Sequence, residues 1–225
     1  MWLGFLVALL QANAIVGADD REVPALPLQL RATVEVTAHL VDKSRDYPPH
    51  LKIVHVKYDY INKRAHAVVE KGYDEGKTFI RRYDSKYEYM VRTEPEAECQ
   101  RSYLGEEMPA PSLPATATFQ GMETIEGDEC EHWMDDVGSN RVHIYLALKQ
   151  VGRGGDFQRI PKRVTDEAVM DGESVALMTY DWKNVELGMP AETVFQLPAD
   201  HTHKSCERYV GGFPYLHVFH FYYRF

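Results

Sequence analysis

Val175–Cys206 reads VALMTYDWKNVELGMPAETVFQLPADHTHKSC. It opens as a strong strand, is broken at Gly188 and Pro190, and runs through a Gly/Pro-punctuated crossover to a cysteine. Just upstream, Ile160 to Met170 is a second β run, separated from Ser174–Val185 by Asp171-Gly172. Asp-Gly between alternating apolar runs is a strong hairpin signal, because a type I′ turn needs positive φ at both central positions.

The same period of two recurs along the rest of the chain. In LQLRATVEVTAHLV, Leu28, Leu30, Ala32, Val34, Val36, Ala38 and Leu40 alternate with their neighbours. LKIVHVKYDY (51–60) repeats the pattern, with Pro48 and Pro49 in the loop before it. Ala65–Val69, Thr78–Tyr83 and Tyr87–Arg92 follow, parted by polar turn residues, as in an antiparallel meander. Residues 94 to 114 carry four prolines and read as a long connection anchored at Cys99. A β segment then begins near Phe119, and Gly138-Ser139-Asn140 turns the chain into Arg141–Lys149. The sequence predicts about ten strands, with helix only at Pro190–Phe195. The fold class expected is all-β: one curved antiparallel sheet, or two stacked sheets.

Residues 1–18, MWLGFLVALLQANAIVGA, are uncharged with an apolar core, and small residues at Ala14 and Ala18 suit cleavage. This reads as a secretory signal peptide; the apolar run is too short to span a membrane. About 205 residues remain, enough for one β domain (19–210) with an aromatic C-terminal segment (211–225). No transmembrane segment is expected. The net charge of −9, with no basic stripe, argues against a nucleic-acid partner. None of the asparagines begins an Asn-x-Ser/Thr acceptor.

The run Tyr180–Pro190, then Val194-Phe195, Pro198 and Cys206, resembles the closing segment of the ependymin-related family. Cys99 ahead of Met108-Pro109 is similar to the family's mid-chain cysteine, and Glu131-x-Trp133 to its Glu-Trp strand. The resemblance spans Leu28 to Cys206. It implies a fold like that of bacterial lipoprotein carriers, with a curved sheet enclosing an apolar cavity. It also implies a secreted, often dimeric, non-enzymatic protein connected with hydrophobic ligands such as lipids and, less firmly, with calcium and the extracellular matrix. Carried over, it pairs Cys99 with Cys206 and leaves Cys130 alone, whereas spacing alone also permits Cys99 with Cys130. This chain departs from the pattern at Gly154-Gly155-Asp156-Phe157, where relatives carry another cysteine.

Candidate chemistry is sparse. Cys130 and His132 share a strand face without a third group to orient a base. His201, His203 and Cys206, with His217 and His220, hold metal-ligand residue types, but a disulfide at Cys206 and strand alternation separate them. The acidic residues Glu123, Glu126, Asp128, Glu129, Glu131, Asp135 and Asp136 suit weak calcium association but lack an EF-hand-type loop. Neither a resident cofactor nor a catalytic or metal site is expected. A hydrophobic small molecule or lipid would be sheltered by Val142, Ile144, Leu146, Leu177, Tyr180 and Trp182, chosen by alternation in the central hairpins, for which plain core packing is the competing reading. The alternative function is an extracellular matrix or cell-interaction protein, dimeric and calcium-associated, without a small ligand.

Overall fold

The computed structural model describes residues 21–40, 51–92, 97–151, 156–170 and 173–214. The expected signal peptide (1–18), the expected loop at Pro48-Pro49, Gly152–Gly155, the expected Asp171-Gly172 turn and residues 215–225, with His217 and His220, lie outside the described residues. All described strands join one open, curved and mostly antiparallel sheet. They are β1 (Gln29–Ala38), β2 (Leu51–Asp59), β3 (Arg64–Lys71), β4 (Lys77–Arg82), β5 (Tyr87–Arg92), β6 (Glu98–Tyr103), β7 (Thr118–Ile125), β8 (Asp128–Val137), β9 (Asn140–Val151), β10 (Asp156–Met170), β11 (Glu173–Leu187) and β12 (Glu207–Arg208). Their spatial order is β12-β6-β5-β4-β3-β2-β1-β11-β10-β9-β8-β7.

The sheet is two meanders joined at their inner ends. β1 to β6 step outward from the centre; β7 to β11 step back, and β11 pairs with β1 along Val34↔Trp182 and Val36↔Tyr180. The connection between β6 and β7 must therefore travel from one side of the sheet to the other. It crosses the inner face, where Leu104, Met108, Leu113 and Ala117 join the apolar cluster supplied by alternate residues of the strands, among them Leu30, Val34, Val54, Phe79, Trp133 and Ile144. Tyr58 donates its hydroxyl to the Pro109 carbonyl at 3.1 Å, and Ala25 bridges to Ser112.

After β11 the chain crosses the opposite, outer face. A 3₁₀ turn (Glu192–Phe195) sets Phe195 against the His66 ring and beneath the Arg64 guanidinium. Leu197 packs beside the cluster of Ile80, Tyr89, Val91, Cys99 and Cys206. The Cys99–Cys206 disulfide joins this return segment to β6, with 4.7 Å between the Cα atoms. Cys130 is free and buried. Past β12 the chain rounds the sheet edge, and Phe213 reaches the inner-face cluster.

Two sequence expectations change. Residues 98–103, expected inside the long connection, form β6: Cys99 and Ser102 are buried on opposite faces, an alternation that flanking prolines hid. The segment starting near Phe119 is a full hairpin, β7–β8, turned at Glu126-Gly127, both at positive φ. The long strands also tolerate interruptions. Pro161 sits inside β10 beside a register shift, where a missing ladder donor costs least. Asn184 takes φ 52° at the β1–β11 irregularity, a left-handed geometry that asparagine adopts more readily than most residues.

Candidate functional site

Five of the six residues expected to line a cavity come together. Val142, Ile144, Leu146, Tyr180 and Trp182 are all buried in the inner-face cluster. Register accounts for it: Trp133, Ile144, Val164, Tyr180 and Val36 run across five strands as successive partners, and a cross-strand row shares one face. Leu177 is not among them. The β10–β11 register skips it, pairing Asp166 with Met178 and Glu167 with Ala176, so Met178 is the side chain that packs on the cluster. An odd-numbered residue cannot share a face with Tyr180 and Trp182 on the same regular strand.

The near side of this face is polar. Glu131, almost wholly buried, accepts two hydrogen bonds from Arg159, at 2.7 and 2.9 Å, and a third from Trp133 Nε1 at 3.3 Å. Burial by itself would raise its carboxyl, but the Arg159 and Trp133 hydrogen bonds outweigh that and hold it below the usual range. Asp135 accepts from Thr116 Oγ1 at 2.6 Å, tying the crossing connection to β8. The assembly is a broad apolar surface under a strand-free strap, with a fixed carboxylate–guanidinium pair at one end.

The remaining acidic residues disperse. Glu126 meets Lys183 and Lys162, Asp128 meets Lys162, and Asp136 meets Arg141. Glu123 meets His132 Nδ1 at 2.6 Å. His132 Nε2 lies 2.8 Å from His143 Nδ1, its ring stacks on Tyr145, and His143 faces Glu167 at 3.5 Å. His132 is thus engaged on both nitrogens, by Glu123 and His143, and the Cys130 thiol is pushed up by burial and then by Asp128. Among the described residues no three His, Cys, Asp or Glu side chains converge as metal ligands. His203 binds Tyr89 and Arg101, and Cys206 is in the disulfide.

Sequence reading missed the polar strip on the other half of the inner face. Arg81 Nε lies 3.2 Å from Glu88 Oε2, and Glu88 accepts the Phe213 amide at 3.0 Å. Arg81 also donates to the Pro214 carbonyl at 2.9 Å, and Ser102 to that of Gly211. The signal was present, since Arg81 and Glu88 occupy alternation positions where an apolar residue is due.

No family model and no curated protein matches the chain. Among solved structures it is similar to an uncharacterized conserved protein from Thermus thermophilus, with TM-score 0.50 and 10% identity, over 80% of this chain and 89% of that one. This likeness shows the fold alone. A match to PNGF-II, at TM-score 0.35 and 8% identity, covers 80% of this chain and 31% of that one.

Proposed function

We propose that the protein is a secreted, non-enzymatic binding module that holds a hydrophobic ligand, of lipid or fatty-acid type, against the inner face of its sheet. The observation that carries this reading is the cover on that face. Leu104, Met108, Leu113 and Ala117 share one apolar cluster with Tyr180 and Trp182, yet they belong to a connection between strands, not to a second sheet. Apart from the isolated Ala25–Ser112 bridge, the strap joins no strand ladder among the described residues. Segments held this way lie toward the low-stability end of a fold, so an apolar ligand can exchange its own contacts for those of the strap. Val142, Ile144, Leu146, Tyr180 and Trp182 would then contact the ligand, with Glu131–Arg159 orienting a polar head at the rim.

The resemblance to the ependymin-related family supports the same reading, as does a disulfide, which persists in oxidising compartments. The test is native mass spectrometry of protein purified from a secreting host, with lipid extraction of the same sample. Copurified lipid, lost in a Trp182→Ala variant that remains folded, supports the carrier. Ligand-free protein, with no shift on adding oleate, overturns it. A second reading, a calcium-associated, dimeric matrix or cell-interaction protein, draws on the edge strand β7, where Met122 and Glu123 are exposed. A ligand-free dimer in that spectrum would favour it.

A further inference from the structure

The chain contains two Cys-x-Arg triplets, Cys99-Gln100-Arg101 and Cys206-Glu207-Arg208, and the fold lays them side by side. β12 pairs in parallel with β6, Glu207 opposite Gln100 and Arg208 opposite Arg101. The disulfide closes the same alignment one residue earlier. Both arginines therefore leave the same face of the sheet. Like charges directly opposite destabilise a strand pair, and here a covalent bond holds the arrangement in place. A bridging anion would reverse the sign of that interaction.

The surroundings fit such an anion. A cleft of about 570 Å³ opens at this edge, lined by both arginines together with Tyr87, Tyr103, Tyr209 and Val210 among others, and by no carboxylate. That volume falls in the range of small-ligand sites. A lining without acid is notable in a chain with 34 acidic and 25 basic residues. Arg101 is already oriented: its Nε donates to the Cys206 carbonyl at 3.1 Å, and its Nη1 lies 3.1 Å from His203 Nε2. His203 is in turn held edge-on to Tyr87, ring centres 4.4 Å apart. Arg208 is exposed and forms no ion pair among the described residues, and Tyr103 is 68% exposed. Tyrosine offers a flat apolar face with a hydrogen-bonding hydroxyl at its rim, which suits a ring carrying both C–H faces and hydroxyls. A bare anion would leave these rings idle, and an acyl chain would find only Val210 as an aliphatic wall.

We propose that the cleft beside the Cys99–Cys206 disulfide binds an acidic saccharide, its carboxylate or sulfate bridged by Arg101 and Arg208 and its ring laid on the tyrosines. The site lies on the outer face and edge, so it stands or falls separately from ligand binding on the inner face. The test is calorimetric titration of the full secreted chain with a heparin-derived tetrasaccharide, 3′-sialyllactose, lactose and inorganic sulfate. Either acidic saccharide should bind at least about tenfold tighter than both lactose and sulfate, and weaken as salt rises. The tetrasaccharide and sialyllactose arms separate sulfate from carboxylate recognition. Arg208→Ala and Tyr103→Ala, both at exposed positions, should each weaken that binding roughly five- to tenfold with the melting temperature unchanged. Equal affinity for lactose, equal affinity for sulfate, or undiminished binding in the folded Arg208→Ala protein would overturn the proposal.

Discussion

Arg81 and Glu88 face each other across β4 and β5 with 1% and 2% of their side chains exposed, beside the apolar cluster of the inner face. A buried pair of this kind contributes little over an apolar replacement, but removing one partner strands a charge. Arg81→Met or Glu88→Leu alone should cost about 3–5 kcal/mol. The double variant should recover much of that loss, and urea unfolding of all four proteins measures the coupling. Equal losses in the singles and the double would show that the pair acts chiefly by holding the Phe213–Pro214 backbone.

His66 should make the protein acid-sensitive. It is buried beside Phe195, and burial, then the Lys57 charge, lowers its pKa from 6.5 to about 4. A depressed folded-state value means that the unfolded chain takes up the proton first. Stability is therefore fully present above about pH 6.5 and is lost as pH falls toward 4, by about 3 kcal/mol in total. Urea midpoints at pH 7 and 4.5 should differ less in His66→Leu than in the parent.

The Cys99–Cys206 bond spans 107 residues of sequence. In the chain-entropy account, closing such a loop stabilises by about 4–5 kcal/mol. The Cys99→Ser/Cys206→Ser double variant should lose an amount of that order in urea. An unchanged midpoint would mean that β12 and the return segment are held by packing alone.

The apolar contacts of the strap should contribute to stability. Leu113→Ala should cost about 2–4 kcal/mol through the cavity it leaves. Tyr58→Phe, which removes the hydroxyl that donates to Pro109, should cost about 1 kcal/mol. A lower urea slope in Leu113→Ala than in the parent would show that the strap opens ahead of the sheet, as exchange with a ligand requires.

Cys130 is fully buried, and its thiol is pushed up. Iodoacetamide should leave it unmodified in native protein and alkylate it quickly in urea, read by intact mass. Rapid native alkylation would mean that β8 and β9 open locally.

Hydrophobic alternation was legible where a strand buries one face against apolar partners. β1, β2, β9 and β11 follow from it, and so does the shared burial of Val142, Ile144, Leu146, Tyr180 and Trp182 in one cluster. Leu177 lies outside that cluster, and parity already separated it from Tyr180 and Trp182, since Met178 is the residue at the matching alternation position. β6 failed because its inner face carries Ser102, placed there to bind Gly211 rather than to fill a core. The Cys-x-Arg triplets were visible in the sequence, but their meaning depends on two segments 107 residues apart lying in register.

An all-β chain, the Asp-Gly hairpin and the alternating residues of Val175–Val185 could be read from the sequence, because period and turn chemistry are local. It took the folded chain to establish that β11 joins β1, that the 104–117 connection crosses the apolar face, and that Cys206 aligns Arg208 with Arg101. Those outcomes depend on which strand edges pair and which face each connection takes. Both are set by burial summed over the whole sheet and by loop closure across many residues.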